Sequence, residues 1–285
     1  MNSLILGSGF GLYGYLPAIS VHSKFIYLNK KYKSKFLRRN ELKKFYNKIK
    51  WFNNLSNIIN DVDYIVIAIR PIDQFKIVKS LINKKKFKHL FLEKPISNNP
   101  KNSMRLIKYL EARKVNYSFG FLFEYLQWYK YLKKKLLKNN RFKIIWHIKI
   151  NKKNKSWKYK TSQGGGILRY YGIHLIKLIY DLNLINIKSN LMNKNLWRSE
   201  FYDNKNNLLE IDLRMAIRDK FKLIYKNKIL VNSKNPFQKI INQKKIDPRS
   251  FILTKYINQN LFKSPNKYNR NIKFIYFWDK IERNK

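Results

Sequence analysis

The sequence predicts an α/β protein in which a doubly wound parallel sheet is followed by an α+β domain with a mostly antiparallel open sheet. Three observations support this prediction. Strands and helices alternate in the first third of the chain, the alternation stops near residue 118, and eight of the nine glycines lie in two short clusters. Strand–helix alternation is typical of a parallel sheet with helices on both faces. We therefore expect one domain at 1–118 and a second at 119–285.

The predicted strands of the first domain are short apolar runs. The clearest is 64–69, a continuous apolar run as found when both faces of a parallel sheet are covered. The other predicted strands are 4–6, 25–28, 49–52 and 90–92. Apolar periodicity predicts the intervening helices, which are 16–21, 35–48, 72–83 and 98–114. Asn98 or Asn99 is the predicted cap of the last helix.

The second domain has longer segments with partial apolar alternation. The predicted strand segments are 142–151, 197–215 and 221–231, joined by polar turns such as 203–207. An amphipathic helix is predicted at 167–182, and closing helices at 251–262 and 272–281. This pattern indicates a mostly antiparallel sheet packed against helices.

The formal net charge is +46, with 62 Lys and Arg against 16 Asp and Glu. The lysines are spread over the whole chain, which is also rich in Asn, Ile, Phe and Tyr and has four alanines. This composition is typical of coding drift toward A and T, so we interpret runs such as 133–135 and 152–153 as solvated surface. Nucleic-acid binding is a less favoured alternative, while the charge still steers anionic ligands toward the protein.

Several classes of site and location are not expected. The chain has no cysteine, and its four histidines are scattered without metal-ligand spacing, so neither a disulfide nor a metal site is predicted. No segment approaches the roughly 20 apolar residues of a membrane span. The N-terminus has no positive charge before Lys24 and is a poor signal peptide. We expect a cytoplasmic protein.

The first glycine cluster predicts a dinucleotide-binding turn, because it follows a predicted strand and precedes a helix. The first glycine allows a tight turn, and the second lets the backbone approach a pyrophosphate at the helix N-terminus. The spacing departs from the usual pattern, since Leu12 stands where the third glycine is usual. The predicted cofactor-binding residues of this turn are Gly7, Ser8, Gly9, Phe10 and Gly11.

The end of the second strand lacks the acidic residue that usually binds the ribose hydroxyls. Asn29 lies near the expected place, and we predict that it and Lys30 contact the cofactor. Lys30 and Lys31 suit a 2′-phosphate, which gives NADP a slight preference over NAD. Ordinary compositional drift explains these lysines nearly as well.

Four motifs follow one another in a specific order. They are the glycine turn at 7–11, Ile67-Ala68-Ile69-Arg70-Pro71, Glu93-Lys94-Pro95, and Gly164-Gly165-Gly166 leading to Gly172-Ile173-His174. From about residue 3 to 182 the chain resembles the glucose–fructose oxidoreductase / inositol dehydrogenase (Gfo/Idh/MocA) family. The resemblance implies a Rossmann-like first domain and hydride transfer between NAD(P) and a sugar, cyclitol or nucleotide-sugar hydroxyl or ketone. It also implies a homodimer or tetramer formed through the second-domain sheet.

The resemblance implies that Lys94 and His174 are catalytic and that they lie on opposite walls of one cleft. Lys94 follows a parallel strand, at the edge where open α/β sheets bind ligands. Its ammonium suits the stabilisation of charge on a reacting oxygen. Histidine suits proton transfer because its ordinary pKa is about 6.5.

Further site residues follow from the same resemblance. The additional cofactor-binding residues are Ile69, Arg70, Pro71, Gln74 and Glu93, and the substrate-binding residues are Trp157, Lys158 and Tyr171. We interpret most of the aromatic residues between 119 and 129 as core.

Two positions depart from the family pattern. Tyr170, also predicted to be catalytic, replaces the aspartate that usually lies four residues before the histidine, and Gln74 replaces a common histidine. Since tyrosine carries no charge at neutral pH, a dinucleotide-binding scaffold that has lost catalysis is the main alternative.

Overall fold

The computed structural model describes residues 1–84, 87–137, 139–150, 156–237, 246–262 and 268–284. The chain divides into two compact units. The first comprises Met1–Ser97, Met104–Gly120 and Ile240–Tyr268, and the second comprises Asn98–Ser103, Phe121–Lys239 and Asn269–Lys285. The first unit thus takes in a late segment that the sequence-based division counted with residues 119–285.

The first unit contains the predicted parallel sheet, which has six strands where the sequence predicted five. Its strands are β1 (Asn2–Leu6), β2 (Phe25–Asn29), β3 (Ile49–Phe52), β4 (Tyr64–Ile67), β5 (His89–Leu92) and β6 (Tyr117–Phe119), in the order β3-β2-β1-β4-β5-β6. All four residues of β4 are buried, which explains its continuous apolar run. The strand order reverses between β1 and β4, and such a switch point is where open α/β sheets bind ligands.

The second unit contains a six-stranded mixed sheet. Its strands are β7 (Arg141–Lys149), β8 (Asn186–Met192), β9 (Leu196–Tyr202), β10 (Leu208–Ala216), β11 (Lys220–Tyr225) and β12 (Lys228–Ser233), in the order β12-β11-β7-β10-β9-β8. Only the β7–β10 pair is parallel, so the mostly antiparallel sheet is confirmed. Alternate residues of β7 are buried, which leaves the other face of the strand partly exposed.

Most of the α-helices lie where the periodicity predicted them. They are α1 (Leu16–Ile19), α2 (Lys33–Leu37), α3 (Pro71–Ile82), α4 (Pro100–Ala112), α5 (Gln127–Lys135), α6 (Ile173–Asp181), α7 (Arg249–Phe262) and α8 (Tyr268–Arg283). Asn99 caps α4, because its side chain accepts a hydrogen bond from the Asn102 N–H at 2.8 Å. None of the helices in the described ranges is long and apolar enough to cross a membrane.

Several predicted elements are subdivided. The predicted helix 35–48 is α2 followed by a 3₁₀ helix at Asn40–Lys48, because Arg39 is extended and the segment buries little that would hold one straight helix. The predicted strand 221–231 is the β11–β12 hairpin, whose turn places Lys226 and Asn227 at positive φ without a glycine to signal it. The predicted strand 197–215 is β9 and β10 around the predicted turn.

A π-helical turn directly precedes each of the helices α1 and α6, which follow the two glycine clusters. Gly11–Tyr15 runs directly into α1, and Ile167–Gly172 runs directly into α6. Elements β6, β8 and α5 were not predicted from the sequence. The lysine run at 152–153 lies outside the described residues.

Candidate dinucleotide and substrate sites

The glycine turn lies at the carboxyl end of β1. Gly7 has a φ of +137°, and a Cβ on it would lie 2.2 Å from the carbonyl oxygen of Ala68. Glycine is therefore required at this position. Gly9 is exposed, and no atom of the described residues lies within 4 Å of the place that its Cβ would take. The turn is thus tightly packed at Gly7 and open to a ligand at Gly9.

Gly11 has the packing role that a third glycine usually has. A Cβ on Gly11 would lie 3.0 Å from Cγ2 of Ile5 and 3.5 Å from Cβ of Ala68. The start of the helix therefore packs directly against β1 and the residue after β4. The early position of this glycine keeps the close helix–sheet contact of a dinucleotide fold.

The end of β2 carries exposed cations. Asn29 accepts a hydrogen bond from the Lys31 N–H at 3.0 Å, so its side-chain oxygen caps the following turn, and Lys30 is exposed. Lys35 of α2, which sequence reasoning missed, donates from Nζ to Oγ of Ser8 at 3.1 Å. Its position in the helix after β2 was the available signal, but lysine is too common in this chain for one residue to stand out.

The residues after β4 are partly engaged with one another. The Arg70 guanidinium pairs with the Asp73 carboxylate at 2.7 Å, and both side chains are well exposed. Gln74 is fully buried, and its amide nitrogen donates to the carbonyl oxygens of Glu93 at 2.9 Å and Pro95 at 3.1 Å. Gln74 therefore holds the main chain on both sides of Lys94, and its predicted contact with the cofactor stays a prediction.

Glu93 and Lys94 follow β5, as predicted, and both are half-buried. The Tyr15 hydroxyl donates to Oε2 of Glu93 at 3.1 Å. Burial raises the pKa of Glu93 to about 7, while Lys94, the Tyr15 hydrogen bond and Arg249 act in the opposite direction. Burial, with the nearby Glu93 charge, also raises the pKa of Tyr15.

The ninth glycine, outside both clusters, belongs to this group. A Cβ on Gly120 would lie 2.4 Å from the Tyr15 hydroxyl and 2.9 Å from Oε2 of Glu93. Gly120 therefore makes room for the Tyr15–Glu93 hydrogen bond. Its isolation in the sequence gave no signal of this role.

In the second unit, His174 lies in the first turn of α6 and is 5% exposed. Its ring stacks on Phe123 with centroids 4.8 Å apart and an interplanar angle of 16°. The edges of Phe121 and Phe237 approach at 6.3 and 6.1 Å. Phe121 and Phe123 are buried, in agreement with their interpretation as core.

A charged group lies one and two turns beyond His174. Lys177 donates to both carboxylate oxygens of Asp181, and Arg270 of α8 donates to Asp181 at 2.7 Å. Lys177 and Asp181 therefore form an ion pair along one face of α6. Burial lowers the pKa of Lys177, and the Asp181 carboxylate opposes this effect.

The predicted substrate residues lie together in the second unit. The Trp157 ring meets the Tyr170 ring edge-on with centroids 5.3 Å apart, and Nζ of Lys158 lies 5.5 Å from the Tyr170 centroid. Tyr171 is adjacent, with its ring 4.7 Å from that of Tyr170, and burial raises its pKa to about 12. A Cβ on Gly165 would lie 2.3 Å from the Trp157 carbonyl oxygen, so this glycine permits the close packing of the loop.

Arg169 is a further residue that sequence reasoning missed. Its guanidinium makes two 2.7 Å hydrogen bonds to the Glu282 carboxylate of α8. It also donates to the carbonyl oxygens of Asn98 at 2.9 Å and Thr161 at 3.1 Å. Arg169 therefore connects α8 with the main chain at Asn98 and Thr161, within the second unit. The placement of Lys94 and His174 in one cleft stays a prediction.

The architecture and the turn define a class of protein. A parallel sheet with a glycine turn at its switch point is a dinucleotide-binding Rossmann unit, and here it is combined with a mixed-sheet unit. Residues 1–121 match the GFO_IDH_MocA family, described as an oxidoreductase family with an NAD-binding Rossmann fold. This match covers most of the first of the two units, and it agrees with the predicted family resemblance and with the predicted oxidoreductase class.

Solved structures share the fold across nearly the whole chain. Myo-inositol 2-dehydrogenase from Lactobacillus plantarum is 15% identical with a TM-score of 0.73, covering 100% of this chain and 96% of its own. The WlbA dehydrogenase from Thermus thermophilus, solved with NAD and UDP-GlcNAcA, is 13% identical with a TM-score of 0.70. The match covers 97% of this chain and 93% of the WlbA chain.

A third similar structure is the 3-ketoreductase KijD10 from Actinomadura kijaniata, solved with NADP. It is 10% identical with a TM-score of 0.69, covering 100% of this chain and 97% of its own. A sequence search of curated proteins gave no match.

Proposed function

We propose that the protein is an NAD(P)-dependent oxidoreductase that transfers hydride between the nicotinamide and a sugar or nucleotide-sugar hydroxyl or ketone. The observation that supports this most directly is the open space at Gly9, at the switch point of a parallel sheet. A pyrophosphate can approach the backbone closely at this point, because Gly9 has no side chain in between. The bound nicotinamide supplies or accepts the hydride.

Lys94 and His174 are the proposed catalytic residues. The Lys94 ammonium donates a hydrogen bond to the oxygen on the reacting carbon and stabilises the negative charge that develops there. His174 exchanges the proton of that oxygen. Trp157, Lys158 and Tyr171, which pack around the ring of Tyr170, are the proposed sugar-binding residues, and Tyr170 would act beside the reacting group.

The cofactor preference proposed is for NADP. The exposed Lys30 and the Lys35 ammonium beside Ser8 provide positive charge after β2, where the adenine ribose of a Rossmann cofactor lies. The substrate proposed is an anionic nucleotide sugar of surface-polysaccharide synthesis. Two observations favour this class: the strong positive charge of the chain and the UDP-sugar bound by the structurally similar WlbA.

The protein is proposed to act in the cytoplasm as a homodimer or tetramer through the mixed sheet. One face of this sheet carries paired charges rather than a continuous apolar layer. Lys143 pairs with Glu210 at 2.9 Å, and Arg214 pairs with Asp212. Such a face suits a polar, self-complementary contact between copies.

A second candidate function is a dinucleotide-binding scaffold without catalysis. The observation that favours it is the environment of His174, which is buried against aromatic rings and has Tyr170 in place of an aspartate. A neutral phenol gives an imidazolium no compensating charge.

The experiment combines cofactor titration with turnover. NADH and NADPH fluorescence titrations of the wild-type protein test binding, and a panel of sugars and UDP-sugars tests hydride transfer at 340 nm. Lys94→Ala should lower turnover by at least about 100-fold while the protein still binds NADPH. Tight binding with no transfer on any substrate would favour the scaffold, and absence of binding would refute both functions.

A further inference from the structure

The late helix α7 packs within the first unit, next to the parallel sheet. The Tyr256 hydroxyl donates to Oγ of Ser118 at 2.7 Å, and this oxygen lies 2.9 Å from Nε2 of His89. The Tyr256 ring also meets Phe91 edge-on at 5.9 Å. These buried contacts with β5 and β6 fix the position of the helix. In the sequence, α7 itself lies well beyond residues 1–121, which carry the family match.

The first residue of α7 reaches the glycine turn. Cζ of Arg249 lies 4.5 Å from the centroid of Phe10, the residue directly after Gly9, and 5.6 Å from that of Tyr13. Asp247 holds the guanidinium with two hydrogen bonds, at 3.0 Å to Nε and 2.8 Å to Nη2. The arginine is therefore oriented before any ligand binds.

Phe10 is enclosed on its other sides by the turn itself. Its ring meets Tyr13 and Tyr15 edge-on at 5.4 and 5.5 Å. A Cβ on Gly14 would lie 2.3 Å from the Phe10 ring, so the absence of a side chain at Gly14 lets the ring lie flat on the helix. The Phe10 ring is therefore contacted by α7 on one side and by the turn and its helix on the other.

We propose that Arg249 is a positioning residue of the dinucleotide site, which holds the Phe10 ring in place directly after Gly9. This inference rests on the proposed function. Cation–π contact with an aromatic face is favourable for a guanidinium, and the contacted ring belongs to the residue that follows the open position at Gly9. A late segment of the chain thereby completes a site that otherwise belongs to the first 121 residues.

The test compares NADH dissociation constants of the full-length wild-type protein and three variants. Arg249→Met removes the charge and should weaken binding about fivefold to twentyfold, whereas Arg249→Lys should stay within about threefold of wild type. Arg113→Met is the matched control, because Arg113 also lies over a ring, that of Tyr109 at 5.5 Å, but directly after α4 rather than at the turn. It should bind NADH as wild type does.

A pH series separates positioning from a general loss of stability. Glu93 is faced by Lys94, by the Tyr15 hydroxyl and by Arg249, and the last of these favours the ionised carboxylate. In Arg249→Met, the midpoint of any pH-dependent change in NADH affinity near neutral pH should therefore move upward, while Arg113→Met leaves it in place.

Equal affinities in Arg249→Met and wild type would overturn the inference while leaving the proposed function intact. The inference would also be overturned if the NADH affinities of the variants changed in parallel with their melting temperatures and Arg249→Lys bound NADH no better than Arg249→Met. Failure of the wild-type protein to bind NADH or NADPH would instead refute the proposed function.

Discussion

Replacement of Gly9 by alanine separates cofactor binding from folding. The added methyl group enters a space in which no atom of the described chain lies within 4 Å, and Gly9 is not at positive φ. The fold therefore tolerates alanine here. The methyl group occupies the position at which the backbone has to approach a pyrophosphate, so its effect should appear in binding alone.

The expected magnitudes differ sharply. A glycine-to-alanine change at a compatible backbone position stabilises a protein by about 0.4–1 kcal/mol, through the unfolded chain. The loss of one charge-assisted hydrogen bond to the pyrophosphate costs about 1.5–3 kcal/mol, which corresponds to about 10- to 150-fold in affinity. We expect Gly9→Ala to melt at or slightly above the wild-type temperature and to bind NADH and NADPH at least about tenfold more weakly.

Gly7→Ala is the matched comparison in the same turn. Its Cβ would lie 2.2 Å from a carbonyl oxygen at a φ of +137°, so it should destabilise the fold by at least about 3 kcal/mol. Thermal denaturation and NADH fluorescence titration of both variants are the assays. Wild-type affinity in Gly9→Ala would refute the assignment of this turn to the pyrophosphate, and a normal melting temperature in Gly7→Ala would refute the packing argument.

Three further predictions concern charges. The pKa of Glu93 is raised from 4.5 to about 7 in the folded protein. The protonated carboxyl therefore contributes fully to the free energy of unfolding below pH 4.5. This contribution is lost as the pH rises through 7, and the free energy of unfolding falls by about 2–3 kcal/mol. Glu93→Gln should abolish this difference in urea unfolding between pH 5 and 8, and an unchanged slope would contradict the burial of the carboxyl. Arg169→Met should cost about 3 kcal/mol because it leaves the partly buried Glu282 carboxylate with the Trp278 N–H but without its cationic partner, whereas Arg283→Met, at an exposed pair, should cost less than about 1 kcal/mol. Lys35→Ala should weaken NADPH binding about fivefold more than NADH binding, while Lys84→Ala, which removes a similar lysine–serine contact away from the turn, should alter neither. A uniform loss for both cofactors would count against a 2′-phosphate contact.

Local patterns predicted the central strands β4 and β5 well because all of their residues are buried. The run 64–69 and the glycine turn specify a strand and a turn by themselves, since a buried parallel strand needs an apolar side chain at every position. Strand β8 escaped prediction for the opposite reason, because its residues are mostly half-exposed and polar. The β11–β12 turn was missed because its positive-φ positions are lysine and asparagine, in a chain where both are abundant.

Residues whose role depends on distant partners were the ones that sequence reasoning missed. Arg169 is one arginine in a helix until Glu282 and two carbonyl groups are brought to it. Gly120 gains its meaning only from the Tyr15–Glu93 hydrogen bond, and Arg249 only from Phe10. Periodicity reports on the local face of an element, so contacts between segments far apart in the chain leave no trace in it.

The two departures from the family pattern affect the two halves of the proposed chemistry differently. Gln74 donates both of its N–H groups to carbonyl oxygens on either side of Lys94, so it keeps the end of β5 in place without needing a charge. Tyr170 instead packs against Trp157 and Lys158, and cannot supply the negative charge that an aspartate would give to His174. Gln74 therefore keeps the main chain around Lys94 in position, whereas Tyr170 removes a negative charge that would assist proton transfer by His174. Turnover, rather than cofactor affinity, is the measurement that separates an active dehydrogenase from a scaffold.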